Sequence, residues 1–155
     1  MDKIINLFNF ILRNFRVQII KSERMNDLVK IENDFDANHL HGTILSQNKK
    51  YAESIAFFSR AYESSQATCE LLNNYAIALR NVRAYSECER MLQEALILDS
   101  KFPNTYLNLS NCYLSQSRYD DAVKVLTKSI KQGMNILRCQ TEIVAIHFTS
   151  LNEEF

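Results

Sequence analysis

Apolar residues recur along the chain with the three- and four-residue steps of helices, and that helical pattern itself repeats every 34 residues. Tyr51, Tyr85 and Tyr119 open the segments YAESIAFFSRAY, YSECERMLQEAL and YDDAVKVLTKSI. Within them Ser54, Cys88 and Ala122 form a small column, Phe58, Leu92 and Leu126 a large apolar one, and Ala61, Ala95 and Ser129 a second small one. Steps of three and four keep each set on one helical stripe. Glu53, Glu87 and Asp121 fall in the first turn of these helices, where a carboxylate complements the helix dipole. Upstream of each tyrosine the spacing predicts a second helix, with Gly42, Ala76 and Ser110 small, Leu45, Leu79 and Tyr113 large, and His41, Tyr75 and Leu109 just before the small residue. Small residues facing small residues let antiparallel helices approach at the short end of the usual interaxial range of about 8–10 Å. One such pair cannot bury its apolar face alone, so the pairs must stack.

A 34-residue period of helix–turn–helix units, small residues at these columns and a tyrosine opening the second helix resemble the tetratricopeptide repeat (TPR). The unit PNTYLNLSNCYLSQSRYDDAVKVLTKSIKQG carries the pattern best, with Tyr106, Leu109, Ser110, Tyr113, Tyr119 and Ala122 of the expected type. The first unit departs at Asn38 and His41, where a large aromatic and a Leu are usual, and Gln66 and Ser100 stand where a unit commonly closes on proline. The resemblance implies an all-α, right-handed superhelical solenoid of three repeats, 35–68, 69–102 and 103–134, with a flanking region on each side. It is similar to bacterial repeat regions and to the repeat arm of O-GlcNAc transferase-like proteins.

Residues 135–155 read as a capping helix or a truncated fourth repeat. Ile136, Ile143, Val144, Ile146, His147 and Leu151 are its expected packing face, and Glu153 and Glu154 make the end polar. Gly133 is the expected left-handed helix stop before it, and Pro103 sits where a first helical turn tolerates proline. Residues 1–34 divide into an amphipathic helix over 3–21, with Lys3, Asn6, Asn9, Arg13 and Arg16 as its polar stripe, and a degenerate helix over 22–34 with Met25, Leu28, Val29 and Ile31 as its apolar side. The apolar run in 3–21 is too short and too interrupted to span a bilayer. Packing on the first repeat is favoured for it; contact with a membrane surface and a partner-binding or dimerising role are the alternatives.

Composition narrows the chemistry. The chain has 155 residues but only two Gly and one Pro, where average usage would give about 11 and about 8. Phosphate-cradling loops and nucleophile elbows need several glycines, which Gly42 and Gly133 cannot supply. Lys plus Arg and Asp plus Glu balance at 18 each, without the basic excess of a nucleic-acid binder. Cys69, Cys88, Cys112 and Cys139 include no CxxC pair, which suits neither a zinc site nor a secreted disulfide scaffold, and they are expected to be buried reduced thiols in a cytoplasmic protein.

No catalytic or cofactor constellation emerges, and neither cofactor nor metal is expected. His39 and His41 are two apart on a helix and point to different faces, so they lack metal-pair spacing, and His147 stands alone. Asp120 and Asp121 are explained by the helix dipole. Function is therefore expected on the surface. The resemblance implies a concave groove, lined by the first helix of each unit, that binds a peptide or a partner's segment. Carried over residue by residue, its candidates are His39 and Thr43 in the first unit, Asn73, Asn74, Ile77 and Arg80 in the second, and Asn104, Asn108 and Asn111 in the third.

Asn74 and Asn108 match the asparagine ladder of the O-GlcNAc transferase superhelix, while Leu40 interrupts it. A side-chain amide both donates and accepts, so a ladder can pair with a peptide backbone. The family's carboxylate clamp maps to His39, Thr43, Asn74, Asn104 and Asn108; only Asn74 agrees, and without fixed cations that clamp is not expected. The leading expectation is a non-catalytic interaction scaffold for a protein or peptide partner. The stretch DANHLHG over 36–42 also resembles the opening of bacterial repeat regions that precede glycosyltransferase or sulfotransferase domains, which makes a substrate-recruiting arm one alternative and a secretion-type chaperone another.

Overall fold

The computed structural model describes residues 34–64, 67–102, 104–134 and 136–153. These form seven helices and no strand: α1 (Phe35–Gln47), α2 (Tyr51–Ser64), α3 (Cys69–Asn81), α4 (Tyr85–Leu98), α5 (Thr105–Leu114), α6 (Tyr119–Lys131) and α7 (Ile136–Glu153). The three column tyrosines are the first residues of α2, α4 and α6. Helices pack consecutively, α1 on α2 through to α6 on α7, while α1 touches α3 and α3 touches α5. First helices thus form one layer and second helices another, the arrangement of a TPR solenoid. The predicted helices over 3–21 and 22–34, Asp34 excepted, lie outside the described residues, as do Gln66 and Pro103.

Helix starts follow local chemistry. Asp34 accepts a hydrogen bond from the Ala37 amide at 2.8 Å to cap α1, and Thr68 Oγ1 accepts from the Leu71 amide at 3.2 Å to cap α3. α4 and α6 have no side-chain cap; Glu87 in one first turn and Asp120 and Asp121 in the other complement the exposed amides there.

The repeat columns form the core. Phe58, Leu92 and Leu126 are fully buried, as are Ser54, Cys88, Ala122, Ala61, Ala95 and Ser129 to within 1%. Each large side chain in such a position is worth about 1.5–3 kcal/mol relative to an exposed one. Gly42 lets α1 approach α2 closely: a Cβ there would stand 2.7 Å from the Phe58 ring. Ala76 and Ser110 continue that close column in buried positions.

Between the two helices of each repeat, the chain reverses through Lys49, Arg83 and Ser117, which are 34 residues apart and all left-handed, with φ of 61°, 65° and 56°. Gly133, at φ 74°, takes the same conformation before α7, as expected of a helix stop.

α7 packs on α6 by part of the expected face, Ile143 and Ile146, together with Cys139. Cys139 and Ile146 are buried and Ile143 partly so, giving steps of four and three along the helix. Val144 is 69% exposed, Ile136 45% exposed and His147 exposed. The expected face was too wide because it combined two stripes. Leu137, Val144 and Phe148 form the second, at steps of seven and four, and are 79%, 69% and 71% exposed.

Candidate functional site

α3 and α5 lie side by side and are joined through asparagine. Asn73 is buried; its Nδ2 donates to Cys69 O at 2.8 Å within α3 and to Thr105 Oγ1 at 2.9 Å across to α5. Its Oδ1 accepts from Asn108 Nδ2 at 2.8 Å. One repeat earlier, Asn74 Nδ2 donates to His39 Nε2 at 3.2 Å and links α3 to α1. Both cross-repeat links join residues 35 apart, and the second reproduces the first one period along the chain.

Above these links is an open cleft of about 290 Å³. Its walls are Glu70, Asn73, Asn74 and Ile77 of α3, Leu107, Asn108 and Asn111 of α5, Phe102 and Asn104 of the connection before α5, and Arg138 of α7. Six of the nine residues expected in the groove meet here: Asn73, Asn74, Ile77, Asn104, Asn108 and Asn111. His39, Thr43 and Arg80 do not line it. His39 is half-buried against the Phe35 and Phe58 rings, at 5.7 and 6.2 Å, and Thr43 Oγ1 donates to His39 O at 2.8 Å within α1.

The asparagines have divided roles. Asn73 has both ends of its amide engaged and holds the two helices together. Asn74 and Asn108 use their NH₂ groups in the cross-repeat links, and neither Oδ1 accepts a hydrogen bond among the described residues. Each therefore offers the cleft an acceptor suited to a peptide N–H. Asn104 stands at the start of α5 with φ 69°, a conformation asparagine tolerates better than most residues, and leaves its amide exposed.

Burial pushes the His39 pKa below its ordinary value of 6.5 against the opposing pull of Glu70 and Asp36. The imidazole is thus kept neutral, with Nε2 free to accept from Asn74. His41 is lowered too, by burial first and then by Arg60, and stacks on Phe57 with ring centroids 3.9 Å apart.

Four wall residues, Glu70, Phe102, Leu107 and Arg138, were absent from the expected set. The signal for two of them was available: Glu70, Asn104 and Arg138 are spaced by one full period. Phe102 and Leu107 carry no polar pattern that separates them from core residues.

The four cysteines are free thiols. Cys88, Cys112 and Cys139 are buried as expected; Cys69 is only half-buried, with its Sγ donating to Ala95 O at 3.5 Å. The Cys112 side chain, and then burial, push the Cys88 thiol well up. Among the described residues, no group of three His, Cys, Asp or Glu side chains is placed to hold a metal ion, and no helix is long and apolar enough to cross a membrane.

Stacked helix pairs in two layers place the molecule in the TPR solenoid fold class. Residues 23–155 match the family model of the coatomer epsilon subunit, and the chain belongs to that family. Similar solved structures include the second TPR domain of human RPAP3, determined in complex with the HSP70 peptide SGPTIEEVD. It shares 19% identity over 71% of this chain and 92% of its own, with a TM-score of 0.61. The TPR domain of Arabidopsis OM64 shares 17% identity over 78% of this chain and 96% of its own, with a TM-score of 0.62. No curated protein sequence matches the chain.

Proposed function

We propose that the chain is a cytoplasmic, non-catalytic interaction module that binds an extended segment of a protein partner in the cleft between α3 and α5. The observation that carries this reading is the convergence of Asn74, Asn104, Asn108 and Asn111 on one open cleft, two of them with unused carbonyl acceptors. A peptide backbone presents N–H groups along its length, so such acceptors hold it largely independently of its side chains. Ile77, Leu107 and Phe102 add apolar surface for an intervening side chain. The peptide complex of the RPAP3 domain supports the same use of a similar fold, and the family's designation as a subunit supports a role within an assembly. The three-repeat division, with the groove extending to His39, Thr43 and Arg80 at its edges, belongs to this proposal.

Binding to an array of unmodified peptides, compared between the wild type and an N74A/N108A double variant of matched thermal stability, tests it. Loss of most wild-type spots is expected. An unchanged pattern rejects the amide cleft as the binding surface.

A further inference from the structure

Glu70, Asn104 and Arg138 occupy one column of the repeat, each 34 residues from the next and each at the start of a helix that borders the cleft. Along the solenoid this column changes from carboxylate to amide to guanidinium. Asp36, one period before Glu70, extends the acidic end. Neither Glu70 nor Arg138 forms an ion pair or side-chain hydrogen bond among the described residues, and both are exposed. The two charges also differ in their local setting. Glu70 complements the positive end of the α3 dipole, whereas Arg138 adds to that of α7, whose first turn contains no acid to offset it. The α7 end of the cleft therefore carries a positive side chain at a helix start with no acid in its first turn, and the α3 end carries a negative one.

From this gradient, and resting on the reading of the cleft as a peptide groove, we infer that its partner is an extended segment bearing one cationic and one carboxylate side chain, the cation against Glu70 and the carboxylate against Arg138. Glu70 and Arg138 border one cleft on either side of α5; at about 8–10 Å per helix, a span of two helix widths is about 16–20 Å. An extended chain rises about 3.3 Å per residue, which separates the two charged side chains by about five or six residues. Asn74, Asn104 and Asn108 lie between the charges and face the intervening backbone. The gradient fixes the direction in which the segment lies, a property that the amides alone do not confer. Arg138 and Glu70 are specificity-determining residues in this arrangement, and Arg138 acts from a helix beyond the three repeats.

The test uses the full chain and fluorescent, end-capped peptides of Ser, Ala and Tyr into which one Lys and one Glu are placed at increasing separations, read by anisotropy. The wild type is expected to prefer a separation of about five or six residues over adjacent charges by about tenfold, the sum of two exposed charge contacts. That preference should fade in about 0.5 M salt, where the screening length falls to a few ångströms. R138E should instead select the Lys/Lys peptide and E70K the Glu/Glu peptide at the same separation, with circular dichroism matching the wild type. Selection unchanged in both variants overturns the inference. So does equal binding of charged and uncharged peptides; if that binding is still abolished by N74A/N108A, the groove reading survives and only the charge gradient fails. Binding of no peptide in the series rejects the groove reading and this inference together.

Discussion

Asn108 donates from Nδ2 to Oδ1 of Asn73 at 2.8 Å, so one of the cleft's half-buried amides is held in place by a buried one. Asn73 simultaneously donates to Thr105 Oγ1, and Thr105 is fully buried. The two asparagines should therefore differ sharply on truncation. N73A leaves buried polar groups on both helices without their partner, at about 1–3 kcal/mol, whereas N108A removes one part-buried bond, at about 0.5–1.5 kcal/mol. Urea denaturation of both variants checks this, and a smaller loss for N73A than for N108A contradicts the assignment of Asn73 as the structural member.

How far this was legible in the sequence differs by residue type. The core columns could be read because Phe58, Leu92 and Leu126 must be large and apolar in every unit, and burial leaves that requirement visible as a period. The asparagines could be placed on the cleft side by the same period, but not sorted. Asn73 and Asn74 are identical in type and adjacent, and only the position of Thr105, 32 residues on, makes one a buried link and leaves the other facing the cleft. α7 was misread for a related reason. A single terminal helix has no second copy to show which of its apolar stripes is buried, and Cys139, a small residue, proved to mark the packed one.

The scarcity of glycine has a physical counterpart in the turns. Lys49, Arg83 and Ser117 hold left-handed φ angles that cost an L-residue with a Cβ about 1–2 kcal/mol. Replacing each by Gly removes that cost but increases the entropy of the unfolded chain, for a net gain of about 0.5–1 kcal/mol per site. K49G, R83G and S117G should each raise the thermal midpoint, and G133A should lower it. A fall in midpoint for all three glycine variants would contradict the turn conformations.

Gly42 is under the opposite constraint. A methyl group at this position would meet the Phe58 ring at 2.7 Å, and that ring is fully buried. Overpacking of this kind costs about 1–3 kcal/mol, against a helix-propensity gain for Ala of about 1 kcal/mol. G42A alone should be neutral to destabilising by about 2 kcal/mol. In an F58L background the clash is relieved, and the same substitution should become stabilising. A double-mutant cycle measured by chemical denaturation reads the coupling directly; additivity of the two changes would show that the α1–α2 approach is looser than the contact requires.

His39 ties the cleft to pH through its bond with Asn74. Its folded pKa lies below 6.5 because burial penalises the imidazolium, with Glu70 and Asp36 opposing the shift. The unfolded chain therefore binds the proton more readily than the folded one between that depressed value and 6.5. The stability contributed by neutral His39 is fully present above about pH 6.5 and is lost as pH falls through the folded pKa. Protonation also converts Nε2 from an acceptor into a donor facing the Asn74 NH₂, so the Asn74 amide must turn or withdraw. Titration followed by NMR should place the His39 midpoint below the ordinary imidazole value of 6.5, and N74A, by opening the ring to water, should move it back towards 6.5. A His39 midpoint at or above 6.5 would mean that the ring is not held neutral, and the Asn74 amide would then have to present the cleft with a donor instead of its carbonyl.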